Sequence, residues 1–96
     1  MKIKYIYQNN NNKIEYIFEN NKITAKYNNK TDTFDFSNMP NGEAKNITSE
    51  LDICPVLKSI QENDILYVEL LKMYSDDEAE FIESKLNELE KWQVIK

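Results

Sequence analysis

The chain of 96 residues contains no histidine and no arginine, and it has a single cysteine, Cys54. Without histidine it lacks the side chain that most often binds transition metals or acts as a general base near neutral pH. One thiol forms neither an internal disulfide nor a site of several thiolates, so Cys54 is predicted to be a buried free thiol. These absences argue against a metalloenzyme and a histidine-activated nucleophile, and we expect no catalytic, cofactor-binding or metal-binding residue.

Glycine and proline are also scarce, with Gly42, Pro40 and Pro55 as the only examples. One glycine cannot form the glycine-rich loop that holds phosphate groups. No apolar run approaches the roughly 18 residues that cross a membrane, and the N-terminal MKIKYIYQ lacks the apolar stretch of a secretion signal. The sequence therefore predicts a soluble cytoplasmic protein that does not bind membranes.

What is present fits one globular domain over residues 1–96, because apolar residues make up 41% of the chain and charged residues 30%, close to the average. The charge is unevenly distributed, with a net charge of +2 in residues 1–42 and −7 in residues 43–96. Such an acidic balance repels a phosphate backbone, so direct nucleic-acid binding is not expected. The same acidic charge is compatible with a basic binding partner.

Alternating apolar and polar residues predict two strands at the start of the chain, KIKYIYQ and KIEYIFE. The asparagine tract at residues 9–12 suits a four-residue loop between them, because asparagine tolerates positive φ. Pairing through this loop sets Tyr5 against Tyr16 and Lys2 against Glu19. Both faces are then satisfied at once, so the two strands are predicted to be antiparallel neighbours.

Two further strands continue this pattern. Asn20 and Asn21 are predicted to form a two-residue turn that places Tyr16 opposite Ala25, and a third turn at residues 28–30 leads into TDTFDF. That strand ends in SNMPNG, because proline cannot donate a backbone hydrogen bond and Asn-Gly favours a reversal. Residues 1–42 are therefore predicted to form a four-stranded meander with one apolar face.

Residues 53–73 predict a second hairpin, with a loop over residues 61–64. Its core side is predicted to collect Leu57 together with Leu66, Val68 and Leu70. Residues 43–52 lack firm periodicity and favour neither a short strand nor a helical turn.

The period changes at Asp76, where apolar residues begin to recur at helical spacing: Ala79, Ile82, Leu86 and Leu89. Ser75 and Glu78 fit a capping box. We expect one helix over residues 76–91 with Leu86 in the core, after which Trp92, Val94 and Ile95 pack or add an edge strand. The predicted fold class is α+β: an antiparallel β-meander of five or six strands with one C-terminal helix packed on one face.

Two clusters admit a second interpretation. The aromatic stripe of Tyr5, Tyr7, Tyr16 and Tyr27 resembles a stacking platform, but the helix is expected to cover it as core. The acidic residues from Asp76 onward suggest a cation site, but adjacent acids at a helix start point in different directions and favour the helix dipole. We interpret the first as core and the second as capping.

Four segments, taken in order, carry a resemblance to a known family: residues 31–42 (TDTFDFSNMPNG), 51–56 (LDICPV), 64–71 (DILYVELL) and 91–95 (KWQVI). They resemble small proteins of unknown function that are encoded in phages and prophages of Gram-positive bacteria, often beside tail genes. The family usually has glycine where this chain has Asn63 and Asp64, and a shorter, less helical segment before the tryptophan. The resemblance implies an origin but no activity and no functional residues.

Two functions follow as hypotheses. The first is a non-enzymatic phage accessory or structural protein that acts through protein-protein contacts, in the bacterial cytoplasm or on the virion. The alternative is a phage-encoded inhibitor of a host defence system, whose acidic surface blocks a nucleic-acid-binding groove. The partner would be a phage or host protein, and a thinly guarded sheet edge predicts a homo-oligomer as well. The interaction candidates are Glu80, Glu83, Glu90, Trp92 and Ile95.

Overall fold

The computed structural model describes residues 1–44 and 47–95. Within them the chain forms the following elements: β1 (Lys2–Asn9), β2 (Ile14–Glu19), β3 (Lys22–Tyr27), β4 (Lys30–Asp35), β5 (Gly42–Glu43), β6 (Val56–Glu62), β7 (Ile65–Tyr74), α1 (Asp76–Ser84), α2 (Leu86–Leu89) and β8 (Gln93–Val94). Most strand pairs are antiparallel, and both helices lie near the C-terminus. The predicted α+β class with an antiparallel-rich sheet is confirmed.

Three consecutive strands, β2, β3 and β4, form one antiparallel sheet. Tyr16 lies opposite Ala25, as predicted from the alternating pattern. The turn between β3 and β4 uses Asn28 and Asn29 at φ values of 51° and 64°, which is the twist that a two-residue hairpin requires. Asparagine adopts this conformation at low cost, and this explains why local sequence reasoning found the register.

A second sheet has the strand order β5, β6, β7, β1, β8. In it β1 runs parallel to β7, with Ile3 opposite Val68 and Tyr5 opposite Leu70. The prediction that β1 pairs with β2 in a four-stranded meander is therefore wrong. The pairing with β7 places β1 inside a sheet and buries Ile3 completely. The alternating pattern of the two N-terminal segments is compatible with pairing to either β2 or β7, so it could not identify the correct neighbour.

The hairpin of β6 and β7 turns over two residues, Asn63 and Asp64, with φ values of 51° and 64°. The predicted four-residue loop is thus too long. A bulge between Val56 and Lys58 shifts the alternation of β6. As a result Val56 is buried and Leu57 is 48% exposed, which corrects the expectation that Leu57 lies in the core.

The two sheets share one hydrophobic core. Ile3, Val68 and Leu70 contribute from the five-stranded sheet and Ile23 and Ala25 from the three-stranded sheet, all without solvent exposure. The apolar faces of two sheets therefore cover each other, as in a β-sandwich. The predicted packing of a helix across this face is wrong, because the second sheet already occupies it.

The helical region is shorter and less buried than predicted. α1 begins with the expected capping box between Ser75 and Glu78, but it ends at Ser84, and α2 follows after Lys85. Neither helix contains a buried residue, and Leu86 is only partly buried. No feature of the sequence at Lys85 explains the interruption. After α2, β8 pairs with β1, which is the edge-strand alternative for the chain end.

The segment after Pro40 combines a short strand with a loop. β5 begins at Gly42, whose φ of 117° suits glycine, and pairs with β6. Residues 45 and 46 of segment 43–52, for which the sequence favours neither a strand nor a helical turn, lie outside the described residues. Further on, the Ser49 hydroxyl and the Glu50 backbone N–H donate to Asp32 at 3.0 and 2.8 Å, so this loop covers the outer edge of β4.

Candidate interaction site

Two of the predicted acidic candidates hold the C-terminal segment on the sheet. The Tyr74 hydroxyl donates to a Glu83 carboxylate oxygen at 3.0 Å. The backbone N–H of Tyr7 donates to Glu90 at 3.0 Å. Glu80 and Glu83 both lie exposed on α1, whereas Glu90 is half-buried. Glu90 therefore lies apart from the exposed acidic surface of α1.

Further contacts place the C-terminal segment along the free side of β1. The Asn9 side chain donates to Asp76 at 3.0 Å, near the end of β1. Near its beginning, the Ile95 backbone N–H donates to the Met1 carbonyl at 2.9 Å, and the Ile95 side chain packs against the core. Ile95 is thus a structural anchor, and the segment from Asp76 to Ile95 shields β1 from other strands.

Trp92 belongs to an aromatic pair on the side of the five-stranded sheet that faces away from the core. Its ring meets that of Tyr67 edge to face, with centroids 5.4 Å apart and an angle of 84° between the planes. The Lys2 Nζ lies 5.6 Å from the Tyr67 ring centroid, and the Lys4 Nζ lies 5.5 Å from that of Trp92. These are distances at which an ammonium group is attracted to the ring face.

The strand order explains why these side chains meet. β1 lies between β7 and β8, with Lys2 opposite both Tyr67 and Val94. In the next row Glu69 lies between Lys4 and Lys58 on its two neighbouring strands, so the charges alternate across the sheet. We call this surface the Tyr67–Trp92 face and define it by Lys2, Lys4, Tyr67, Glu69 and Trp92.

Sequence reasoning named Trp92 but missed Tyr67 and the two lysines. Tyr67 alternates with core residues of β7, so its position predicted an outward side chain but no aromatic neighbour. Its aromatic neighbour, Trp92, directly precedes β8, and β8 lies beside β1. The sequence pattern predicts β1 in the other sheet, so it does not predict this contact. An aromatic residue at an outward strand position was the one local signal for this surface.

Three residues of the aromatic stripe, Tyr5, Tyr16 and Tyr27, belong to the core between the sheets or pack against it. Tyr27 is buried, and the Tyr5 ring is 6.0 Å from the half-buried Tyr16 ring. The Tyr16 hydroxyl donates to the Leu71 carbonyl on β7, and burial, followed by the nearby Tyr5 and Cys54, raises the pKa of Tyr16 well above its ordinary value. These three residues agree with the interpretation of the stripe as core, whereas the Tyr7 ring lies beside the rings of Tyr5 and Tyr74.

The remaining polar features offer little chemistry. Cys54 is half-buried, with its Sγ 3.4 Å from the Val56 carbonyl oxygen. In the part of the chain that the structure describes, no group of three or more histidine, cysteine, aspartate or glutamate side chains is arranged to hold a metal ion. A shallow open cleft of about 310 Å³ on the outer side of the three-stranded sheet is lined by polar residues: Lys13, Glu15, Lys26, Asn28 and Asn29.

Comparison with known proteins assigns no relative: no protein-family model matches this chain, and no curated protein or solved structure matches it. Among residues 1–44 and 47–95, neither helix has the length and apolar character needed to cross a membrane.

Proposed function

We propose that this chain is a non-enzymatic protein that acts by binding another protein through the Tyr67–Trp92 face. The observation that carries the proposal is Trp92, which stays 43% exposed although it sits on a sheet surface beside Tyr67. Tryptophan and tyrosine are enriched at the centres of protein interfaces, because they bury a large apolar area and keep one polar group.

The charges of this face favour an acidic partner surface. Glu69 lies between Lys4 and Lys58, and Lys2 adds a further positive charge beside Tyr67. Lys58 is itself paired with Glu43 at 3.7 Å, so the residues that define the face, with Lys2 and Lys4 against Glu69, carry one excess positive charge on a chain whose net charge is −5. A partner with an apolar anchor surrounded by carboxylates would complement both the rings and the lysines.

The resemblance to phage and prophage proteins supports a role as a phage accessory or structural protein. Two of the segments that carry it, residues 64–71 and 91–95, contain Tyr67 and Trp92. The partner is then a phage or host protein, met in the bacterial cytoplasm or on the virion. Both the origin and the location are parts of this proposal.

The inhibitor hypothesis would need a different surface from the one first expected. Glu83 and Glu90 bind Tyr74 and the backbone of Tyr7, so reversing their charge would disturb the fold as well as the surface. Asp77 and Glu80 are exposed on α1 and are the sites at which an acidic interaction is best tested. Among the residues that the structure describes, no contact favours this hypothesis, which stays a prediction.

Affinity capture from phage-infected or prophage-induced cells tests the proposal with three variants. Trp92→Ala should lose the captured partner, because it removes the central ring of the face. Phe81→Ala is the matched control, since Phe81 is another exposed aromatic residue, 63% exposed on α1. The double variant Asp77→Lys, Glu80→Lys should retain the partner.

Each variant needs a thermal melt that shows it is folded at the capture temperature. A partner that survives Trp92→Ala would contradict binding through the Tyr67–Trp92 face. A partner that is lost only in the double lysine variant would favour the acidic-surface hypothesis instead.

A further inference from the structure

The outer edge of β2 has no neighbouring strand in the part of the chain that the structure describes, and it differs from the other sheet edges in length and cover. The loop residues Ser49 and Glu50 cover the outer edge of β4 through Asp32. The five-stranded sheet ends on each side in a two-residue strand, β5 and β8, and the C-terminal segment shields the rest of β1. β2 pairs only with β3, which leaves its opposite edge open.

The open edge of β2 carries both backbone groups and aromatic rings. The hairpin closes on Glu19 opposite Lys22, and alternate residues direct their backbone groups to opposite sides. Ile14, Tyr16 and Phe18 therefore direct N–H and C=O groups to the open edge. The rings of Tyr16 and Phe18 are only half-buried, unlike the fully buried residues of β3, so a further strand here would bond the backbone and cover both rings.

We propose that a second copy of this chain occupies this edge, with β2 pairing antiparallel to its own copy about Tyr16. In this register Lys13 lies opposite Glu19 of the second copy, once at each end of the pairing. Ile14 lies opposite Phe18 of the second copy on the core side. Opposite charges and apolar side chains are thus matched along the strand, and about six backbone hydrogen bonds form.

The charges of β2 select this register over its neighbours. A shift by two residues in one direction sets Glu15 opposite Glu19, and a shift in the other direction sets Glu15 opposite its own copy. Like charges that lie directly opposite destabilise a strand pair. Ile17, which is 68% exposed, then lies opposite Glu15 of the second copy and shelters against its methylene groups.

A dimer through one strand edge is expected to be weak. It buries less than the roughly 1,200 Å² of a standard interface, so the dimer should dissociate on dilution. The pairing uses the three-stranded sheet and leaves the Tyr67–Trp92 face free. It is therefore independent of the proposed function, and either proposal can fail without the other.

Sedimentation equilibrium from micromolar to millimolar concentration tests the pairing and its register. Ile17→Glu places a carboxylate opposite Glu15 and should raise the dimer dissociation constant roughly tenfold. Ile17→Lys places an ammonium group there and should keep the dimer or tighten it. Thr31→Glu, an exposed position on the far strand β4, is the control and should change nothing.

A charge exchange adds a second readout. Lys13→Glu and Glu19→Lys should each weaken the dimer, whereas the double variant should restore it, because the two charges lie opposite each other only in this register. Circular dichroism verifies that each variant is folded. A wild-type chain that stays monomeric at millimolar concentration overturns the proposal, as does a dimer that Ile17→Glu leaves intact. Equal loss in Ile17→Glu and Ile17→Lys overturns the register.

Discussion

The two sheets of this sandwich differ in where their strands come from. β2, β3 and β4 follow one another along the chain and are joined by two-residue turns. The other sheet joins β1 to β7 in parallel and to β8 near the opposite end of the chain. Alternation determines which face a residue takes in both sheets, but the choice of neighbour is local in the first sheet and depends on distant loop closure in the second.

The largest effects are expected from one matched core substitution in each sheet. Ile23 in the three-stranded sheet and Ile3 in the five-stranded sheet both have no solvent exposure. Truncating either side chain to alanine should lower the free energy of unfolding by about 2 to 5 kcal/mol, because each leaves a cavity in the same core. Equilibrium denaturation of Ile3→Ala and Ile23→Ala measures both losses.

Folding kinetics should separate the two variants. The local hairpins close shorter loops, so they are expected to form before β1 finds β7. Ile23→Ala should then mainly slow refolding, whereas Ile3→Ala should mainly speed unfolding. If chevron plots show slower refolding for Ile3→Ala and faster unfolding for Ile23→Ala, the parallel pair of β1 and β7 forms first. That result would contradict the expectation that the local hairpins form before the parallel pair.

The first strand shows what sequence reasoning can and cannot reach. Tyr5 was expected to face Tyr16 across a strand pair, and the two rings are indeed 6.0 Å apart. They meet across the core, however, because Tyr5 is paired with Leu70 in the other sheet. The alternating pattern predicted the correct face for both residues. Two aromatic side chains can pack equally well as neighbours in one sheet or as partners in facing sheets, so the pattern could not distinguish these two arrangements.

The surface sites were harder to predict for a related reason. Trp92 could be named from its type, but its contact with Tyr67 and Lys4 depends on β8 lying beside β1. Likewise, the charge of Glu90 suggested a solvent-facing residue, whereas it accepts a backbone hydrogen bond from Tyr7. Both contacts join distant segments, and neither leaves a local pattern in the sequence.

A smaller effect of opposite sign is expected at Ser59 in the five-stranded sheet. Its side chain is fully buried opposite Val68, and within the described residues its hydroxyl has no hydrogen-bond partner. Ser59→Ala removes this unsatisfied group and should raise the free energy of unfolding by about 1 kcal/mol. Ser49→Ala is the matched control, because its hydroxyl donates to Asp32 and its loss should destabilise. Destabilisation by both changes would show that Ser59 has a partner.

The hydroxyl of Tyr16 is the next test, because it links the two sheets through the Leu71 carbonyl. Tyr16→Phe should cost about 1 kcal/mol at neutral pH. Burial raises the pKa of Tyr16 above its ordinary value, so its contribution is complete below about pH 10 and is lost as the pH rises further. Denaturation between pH 7 and 11 should therefore show a flatter alkaline decline for Tyr16→Phe than for the wild type, and equal slopes would contradict this role.

The smallest effect is expected in the helical region, which the sequence pattern predicts to contribute Leu86 to the core. Leu86 is only partly buried in α2, whereas Leu66 of β7 is 2% exposed. Leu86→Ala should cost about 1 kcal/mol or less, because truncating a partly buried side chain leaves no closed cavity and alanine favours a helix. Leu66→Ala is the matched control, with a loss of about 2 to 5 kcal/mol. A loss at Leu86 as large as that at Leu66 in the same denaturant series would mean that the helices pack on the sandwich as core elements, and that the two sheets alone do not account for its stability.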